Sequence, residues 1–124
     1  MAKATGIGGV FLRASDTAAL AQWYSAALGI DFLEGAPFAI LPADEPGSIT
    51  VFAMFGRDNR YIGDPDRQAI MVNFRVDDLD GMIERLRDVG AVAEPIVEEE
   101  NGRFSWAVDP RGNRIELWEP NSAN

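Results

Sequence analysis

Two stretches of this 124-residue chain follow one pattern, and any fold for it must use that pattern twice. Residues 10–29 read VFLRASDTAALAQWYSAALG and residues 72–90 read VNFRVDDLDGMIERLRDVG. At an offset of 62, Val10 meets Val72, Arg13 meets Arg75, Asp16 meets Asp78 and Leu20 meets Met82. Gly29 and Gly90 then agree after a one-residue slip, and Ile49-Thr50-Val51-Phe52 parallels Ile115-Glu116-Leu117-Trp118 at an offset of 66. Ordered similarity of this kind is the mark of a duplicated structural unit.

Each copy begins with an alternating strand, 7–13 and 70–76, where period-2 apolar spacing gives one face to a core. Ser15-Asp16 and Asp77-Asp78 supply oxygens that cap the free amides of a first helical turn. Leu20, Trp23, Tyr24, Ala27 and Leu28 fall at helical spacing over Thr17–Leu28, as do Leu79, Met82, Ile83, Leu86 and Val89 in the second copy. Gly29 and Gly90 then read as left-handed stops. Short strands follow at 31–34, 37–41 and 48–55, and again at 92–98, 103–108 and 114–118. Pro42 to Gly47, Asn101-Gly102 and Asp109 to Asn113 carry the turn chemistry between them. The reading is one α+β domain over 1–124 made of two βαβββ modules, 6–55 and 69–119, joined by a polar linker at 56–68.

Composition narrows the chemistry. The chain has no His and no Cys, which excludes Ser-His-Asp triads, imidazole or thiolate metal sites, disulfides and cysteine nucleophiles. A net charge of −9 disfavours phosphate backbones and anionic membranes. With no apolar run near the roughly 20 residues of a membrane helix and no leader-like stretch at the N-terminus, the expected location is cytoplasmic, without nucleic-acid or membrane partners.

Phe74-Arg75-Val76-Asp77-Asp78-Leu79-Asp80, the stop at Gly90, and Asp109-Pro110-Arg111-Gly112-Asn113-Arg114-Ile115-Glu116-Leu117-Trp118 resemble the vicinal oxygen chelate superfamily. That superfamily includes glyoxalase I, bleomycin-resistance proteins and extradiol dioxygenases. Trp23-Tyr24 and Leu28-Gly29 resemble its first helix, so the likeness covers nearly the whole chain. It implies a curled mixed sheet around a shared cleft, and a homodimer. It also implies metal-ligand positions at Gly9, Thr50, Met71 and Glu116, of which only Glu116 offers a strong oxygen donor.

Strand parity adds an independent reading. Ile115 and Leu117 point toward the helix, so Glu116 and Trp118 point away; Met71, Asn73 and Arg75 oppose Val72, Phe74 and Val76. Phe11 and Arg13 join that face, as do Phe52 and Met54 if their register matches; the facing of Phe104 and Trp106 is left open. The candidate ligand-binding residues are therefore Phe11, Arg13, Phe52, Met71, Asn73, Arg75 and Trp118, with Glu116 as candidate base or metal ligand. An apolar face with a few polar groups suits a small molecule.

Each candidate has a plainer alternative. Arg13 and Arg75 grip an anion, or pair with Asp16, Asp77 or Asp78. The aromatic rings stack on a ligand, or fill the interior against one another. Gly6-Ile7-Gly8-Gly9 precedes its strand and so fails as a phosphate loop. The expected function is binding of a small, partly aromatic molecule with no cofactor. Two alternatives stand beside it: a divergent lyase, isomerase or dioxygenase with Glu116 as base or as the sole carboxylate ligand of a weakly held divalent metal; and a dimerisation module with a filled cleft.

Overall fold

The computed structural model describes residues 2–34, 36–43, 46–110 and 112–121, with Leu28 described by its backbone alone. Its elements in chain order are β1 (Ala4–Ala14), α1 (Thr17–Leu28), β2 (Phe38–Pro42), β3 (Ile49–Gly56), β4 (Ile70–Val76), α2 (Leu79–Asp88), β5 (Val97–Glu99), β6 (Gly102–Val108) and β7 (Arg114–Pro120). The strands form a mixed seven-stranded sheet in the order β2-β3-β1-β4-β7-β6-β5, and the chain is α+β as its alternation predicts. Contacts divide it into a unit of Gly9–Met71 and a unit of Met1–Gly8 with Val72–Asn124. No helix among the described residues is long and apolar enough to cross a membrane.

In the 9–71 unit, the second half of β1 runs parallel to β3, and β2 pairs antiparallel with β3. The Asp16 carboxylate accepts a hydrogen bond from the Ala19 amide at 3.0 Å, and Gly29 closes α1 at φ 69°. Under the helix, Tyr24 and Phe32 pack on Phe52 with ring centroids 5.0 and 6.2 Å away. The strand predicted at 31–34 does not form. The Leu33 amide donates to the Phe38 carbonyl and the Ala36 amide to the Leu33 carbonyl, so its backbone groups close a turn instead of a ladder. Of the turn predicted at Pro42 to Gly47, Asp44 and Glu45 lie outside the described residues, as does Arg111 in the second half.

In the other unit, β4 runs parallel to β7, which pairs antiparallel with β6, and β6 with β5. The α2 stripe buries Leu79 and Met82 with Val76, Leu117 and Ala2, with Phe74, Ile83 and Ile115 packed around them. Two acids fix the start of α2: Asp78 accepts from the Gly81 amide at 3.1 Å and Glu119 from the Leu79 amide at 2.7 Å. Of the strand predicted at 92–98, only Val97–Glu99 forms, because Pro95 lacks the amide that a ladder needs. The β5–β6 turn is Glu100-Asn101, one residue earlier than expected. Gly102 opens β6 at φ 140°, where a Cβ would lie 2.5 Å from the Glu119 carbonyl oxygen.

Candidate functional site: a buried carboxylate on an aromatic sheet face

The register of β4, β7 and β6 builds the site. Asn73 is the Cα partner of Glu116, and Glu116 of Trp106; one step along, Arg75 partners Trp118, and Trp118 partners Phe104. Partnered residues share a face, so these six side chains lie on the side of the sheet away from α2. The predicted parity of Asn73, Arg75, Glu116 and Trp118 is the one observed. Phe104 and Trp106, left open by the sequence, belong to the same face.

Glu116 is only 2% exposed. Its Oε1 accepts from the Asn73 amide nitrogen at 2.6 Å and its Oε2 from the Trp106 indole nitrogen at 2.9 Å. Burying a carboxylate is costly unless donors surround it, and these two lie directly beside it in the sheet. Trp106 continues the network outward: the Arg114 guanidinium lies over its ring at 5.2 Å, and Arg114 pairs with Glu94. Phe104 stacks between Trp106 and Trp118, 6.5 and 6.0 Å between centroids, and the Trp118 indole donates to the Asn101 carbonyl at 3.0 Å.

The glycines of Gly6-Ile7-Gly8 find their reason here. A Cβ on Gly8 would lie 2.1 Å from Asn73 Oδ1 and 2.8 Å from Trp118 Cε3, and one on Gly6 would lie 2.4 Å from the Arg75 guanidinium. The bare backbone lets Asn73 and Arg75 lie flat on β1, where Arg75 donates to the Ile7 carbonyl at 2.8 Å. The space those missing side chains leave is filled by the protein itself. Asn73 Oδ1, pointed at Gly8, is buried with no hydrogen-bond partner.

The remaining sequence candidates belong to the 9–71 unit. Phe11 partners Ala53 and Val10 partners Phe52, which puts Phe52 on the α1 side, against Tyr24 and opposite Phe11. Phe52, Met54 and Thr50 are therefore not on the Phe11 face; the β1–β3 register is one residue off the assumed one, and Val51, Ala53 and Phe55 take their places. Phe11 packs on Phe55 at 5.3 Å, which stacks on Tyr61 at 5.4 Å. Met71 is fully buried.

The Arg13 guanidinium is taken up by backbone carbonyls. Its Nε donates to the Gln68 carbonyl at 3.0 Å, Nη1 to those of Gly56, Arg57 and Asn59 at 3.3, 2.9 and 2.6 Å, and Nη2 to that of Gly63 at 3.2 Å. The guanidinium is the hub of the 56–68 loop, holding carbonyls that a chain without regular structure would otherwise leave unpaired.

These residues do not fit a resident metal. Gly9 has no side chain, Met71 offers a thioether, Val51 replaces Thr50 on the relevant face, and both Glu116 oxygens already accept from N–H donors. No group of three or more His, Cys, Asp or Glu gathers among the described residues. Away from the site, the Arg103 guanidinium bonded to Asp80 holds that carboxyl below its ordinary value, while Asp80 in turn raises Arg103. The Lys3 amide does the same to Asp77.

Trp106 was legible after all. Positions 106 and 116 are equidistant from 111, the centre of the Asp109–Asn113 turn, and a hairpin closed there pairs them. Gly8 carried no such signal, because its need for a bare Cα comes from β4 and β7.

Residues 9–118 match the glyoxalase-like domain family. No curated protein matches the chain. Among solved structures, methylmalonyl-CoA epimerase from Mycobacterium tuberculosis is 24% identical, with a TM-score of 0.68 over 96% of this chain and 90% of that one. A variant of the Streptomyces coelicolor methylmalonyl-CoA epimerase, in complex with 2-nitronate-propionyl-CoA, is 16% identical with a TM-score of 0.76 over 98% and 99%. A glyoxalase/bleomycin resistance protein/dioxygenase superfamily member from Vibrio splendidus 12B01 is 11% identical with a TM-score of 0.58 over 89% and 95%. At these identities the likeness is one of fold.

Proposed function

The chain belongs to the glyoxalase-like domain family of the vicinal oxygen chelate superfamily, and on that premise we propose that it is a metal-independent member that binds a small, partly aromatic molecule. The observation that supports this reading is the Glu116 carboxylate itself. N–H donors from Asn73 and Trp106 already occupy both of its oxygens, and the other positions at which the resemblance implies metal ligands carry no strong donor on that face. In this reading a ligand stacks on Phe104, Trp106 and Trp118 and takes the unpartnered Asn73 Oδ1; all four residues are buried, so binding requires this face to open. Binding of this kind needs shape and satisfied hydrogen bonds but no reactive centre. The superfamily resemblance supports a homodimer as the working form in this proposal, with the cytoplasm as its expected location.

Metal analysis of untagged protein tests it first, after dialysis against metal-free buffer and repletion with zinc, nickel, manganese and iron. The expected result is no retained metal. Near-stoichiometric metal that disappears in Glu116→Ala overturns the reading. A ligand screen by thermal shift follows, and Trp118→Ala should weaken any hit at least tenfold; unchanged affinity removes the aromatic face from the site.

A second reading draws support from the solved epimerases. Those proteins are named for epimerising methylmalonyl-CoA, and a carboxylate such as Glu116 is a residue type that can act as general base toward a carbon acid beside a carbonyl. Glu116→Gln would then abolish solvent deuterium exchange into an acyl substrate without unfolding the protein.

A further inference from the structure

The Arg13 hub organises a second feature of the 9–71 unit. Beside it opens a cavity of about 370 Å³ lined by Arg13, Ser15, Arg57, Asp66, Arg67 and Gln68 among others. The charge segregation is pronounced. Of the unit's four basic residues, Arg13, Arg57, Arg60 and Arg67, three line this cavity; of its eight acidic residues, only Asp66 does among the described lining. Arg57 and Arg67 are exposed, and neither side chain takes part in a hydrogen bond or ion pair among the described residues.

Their placement is fixed from beneath. Arg13 Nη1 holds the carbonyl of Arg57 itself, and Arg13 Nε holds the carbonyl of Gln68, the residue after Arg67. One half-buried fork thus sets the backbone of both outer arginines, so that bringing them onto a shared ligand costs side-chain entropy but little backbone entropy. In a chain of net charge −9, two unpaired guanidinium groups beside one cavity concentrate charge of the sign opposite to the whole.

We propose that this cavity is an oxyanion site, in which Arg57 and Arg67 grip the phosphoryl group of a small phosphorylated molecule and the Ser15 hydroxyl completes the contact. Guanidinium forks match the paired oxygens of phosphate better than a point charge does. Asp66 opposes the anion and sets a selectivity: a dianion gains from two arginines what a monocarboxylate does not. The lining residues are none of those gathered around Glu116, and the proposal does not depend on the function proposed for that face.

The test is an NMR titration of the full chain with inorganic phosphate and pyrophosphate, at constant ionic strength held with sodium chloride and with acetate as the carboxylate control. Saturable shifts confined to Ser15, Arg57 and 66–69 are expected, with acetate weaker. Arg57→Gln combined with Arg67→Gln should weaken binding at least tenfold without moving the melting temperature, and Asp66→Asn should strengthen it severalfold. Absence of saturation, shifts that the double variant leaves unchanged, or weakening by Asp66→Asn overturns the proposal. Acetate binding as tight as phosphate overturns the phosphoryl assignment.

Discussion

Replacing Arg13 with methionine removes five donor contacts while keeping a long apolar stem. Three of these contacts are short, to Gln68, Arg57 and Asn59 at 3.0, 2.9 and 2.6 Å. Hydrogen bonds from a charged donor contribute about 1.5–3 kcal/mol each when buried; half-exposed as Arg13 is, about 1 kcal/mol for each short bond is the better figure, with the two longer ones adding little. The expected loss is therefore about 3 kcal/mol, a large part of the roughly 5–15 kcal/mol by which a domain is stable. For a chain of this length that lowers the melting temperature by about 10 °C. The loss should be local as well as global. Thermal melts by circular dichroism give the total, and hydrogen exchange resolves whether amides of 56–69 lose protection before those of β3. Arg13→Lys should recover less than half, since an ammonium cannot reach carbonyls spread across a fork. A methionine variant within about 1 kcal/mol of the parent, with unchanged exchange in 56–69, would refute the hub.

Three further outcomes are expected. Glu116→Ala leaves the Asn73 and Trp106 donors unpaired in a dry site and should cost about 3–5 kcal/mol, whereas Glu116→Gln should cost under about 1.5 kcal/mol because Asn73 can turn its unpartnered Oδ1 toward the new amide; equal losses in urea melts would mean that the negative charge itself is required. Gly8→Ala drives a Cβ into Asn73 and Trp118 and should cost about 2–4 kcal/mol, while Gly56→Ala, with open space around it, should cost less than about 1 kcal/mol; the reverse order in the same melts contradicts the packing described for β1. The Asp80 carboxyl, lowered by Arg103, contributes stability that is intact above its unfolded value of about 3.9 and is lost as pH falls through the folded value; an acid titration of Arg103→Gln should thus differ from the parent above about pH 4 and converge with it below.

The fold was legible because its signals are local. Asp16, Asp78, Gly29 and the two apolar stripes act within one turn of chain, so both helices appear at the predicted starts. The strand at 31–34 was not, because an apolar pair such as Phe32-Leu33 says nothing about whether a partner strand is present. Phe52 fails for a related reason. A one-residue difference in register reverses every side chain of β3, and the sequence contains no turn that pins a parallel pair as Asp109–Asn113 pins β6 to β7.

Residue type and short periods were enough to read the α+β class, the absence of imidazole and thiolate groups, and the shared face of Asn73, Arg75, Glu116 and Trp118. Each depends on residue type or on a period of two, and neither needs a distant partner. That Glu116 is held by Asn73 and Trp106, that Gly8 lies bare beneath Asn73, and that Arg13 turns to a loop some 50 residues away could be read only from the folded chain. Those outcomes depend on which strands become neighbours and in what register. Hydrogen bonds and steric contacts reach only a few ångströms, so their partners exist only once the chain has folded.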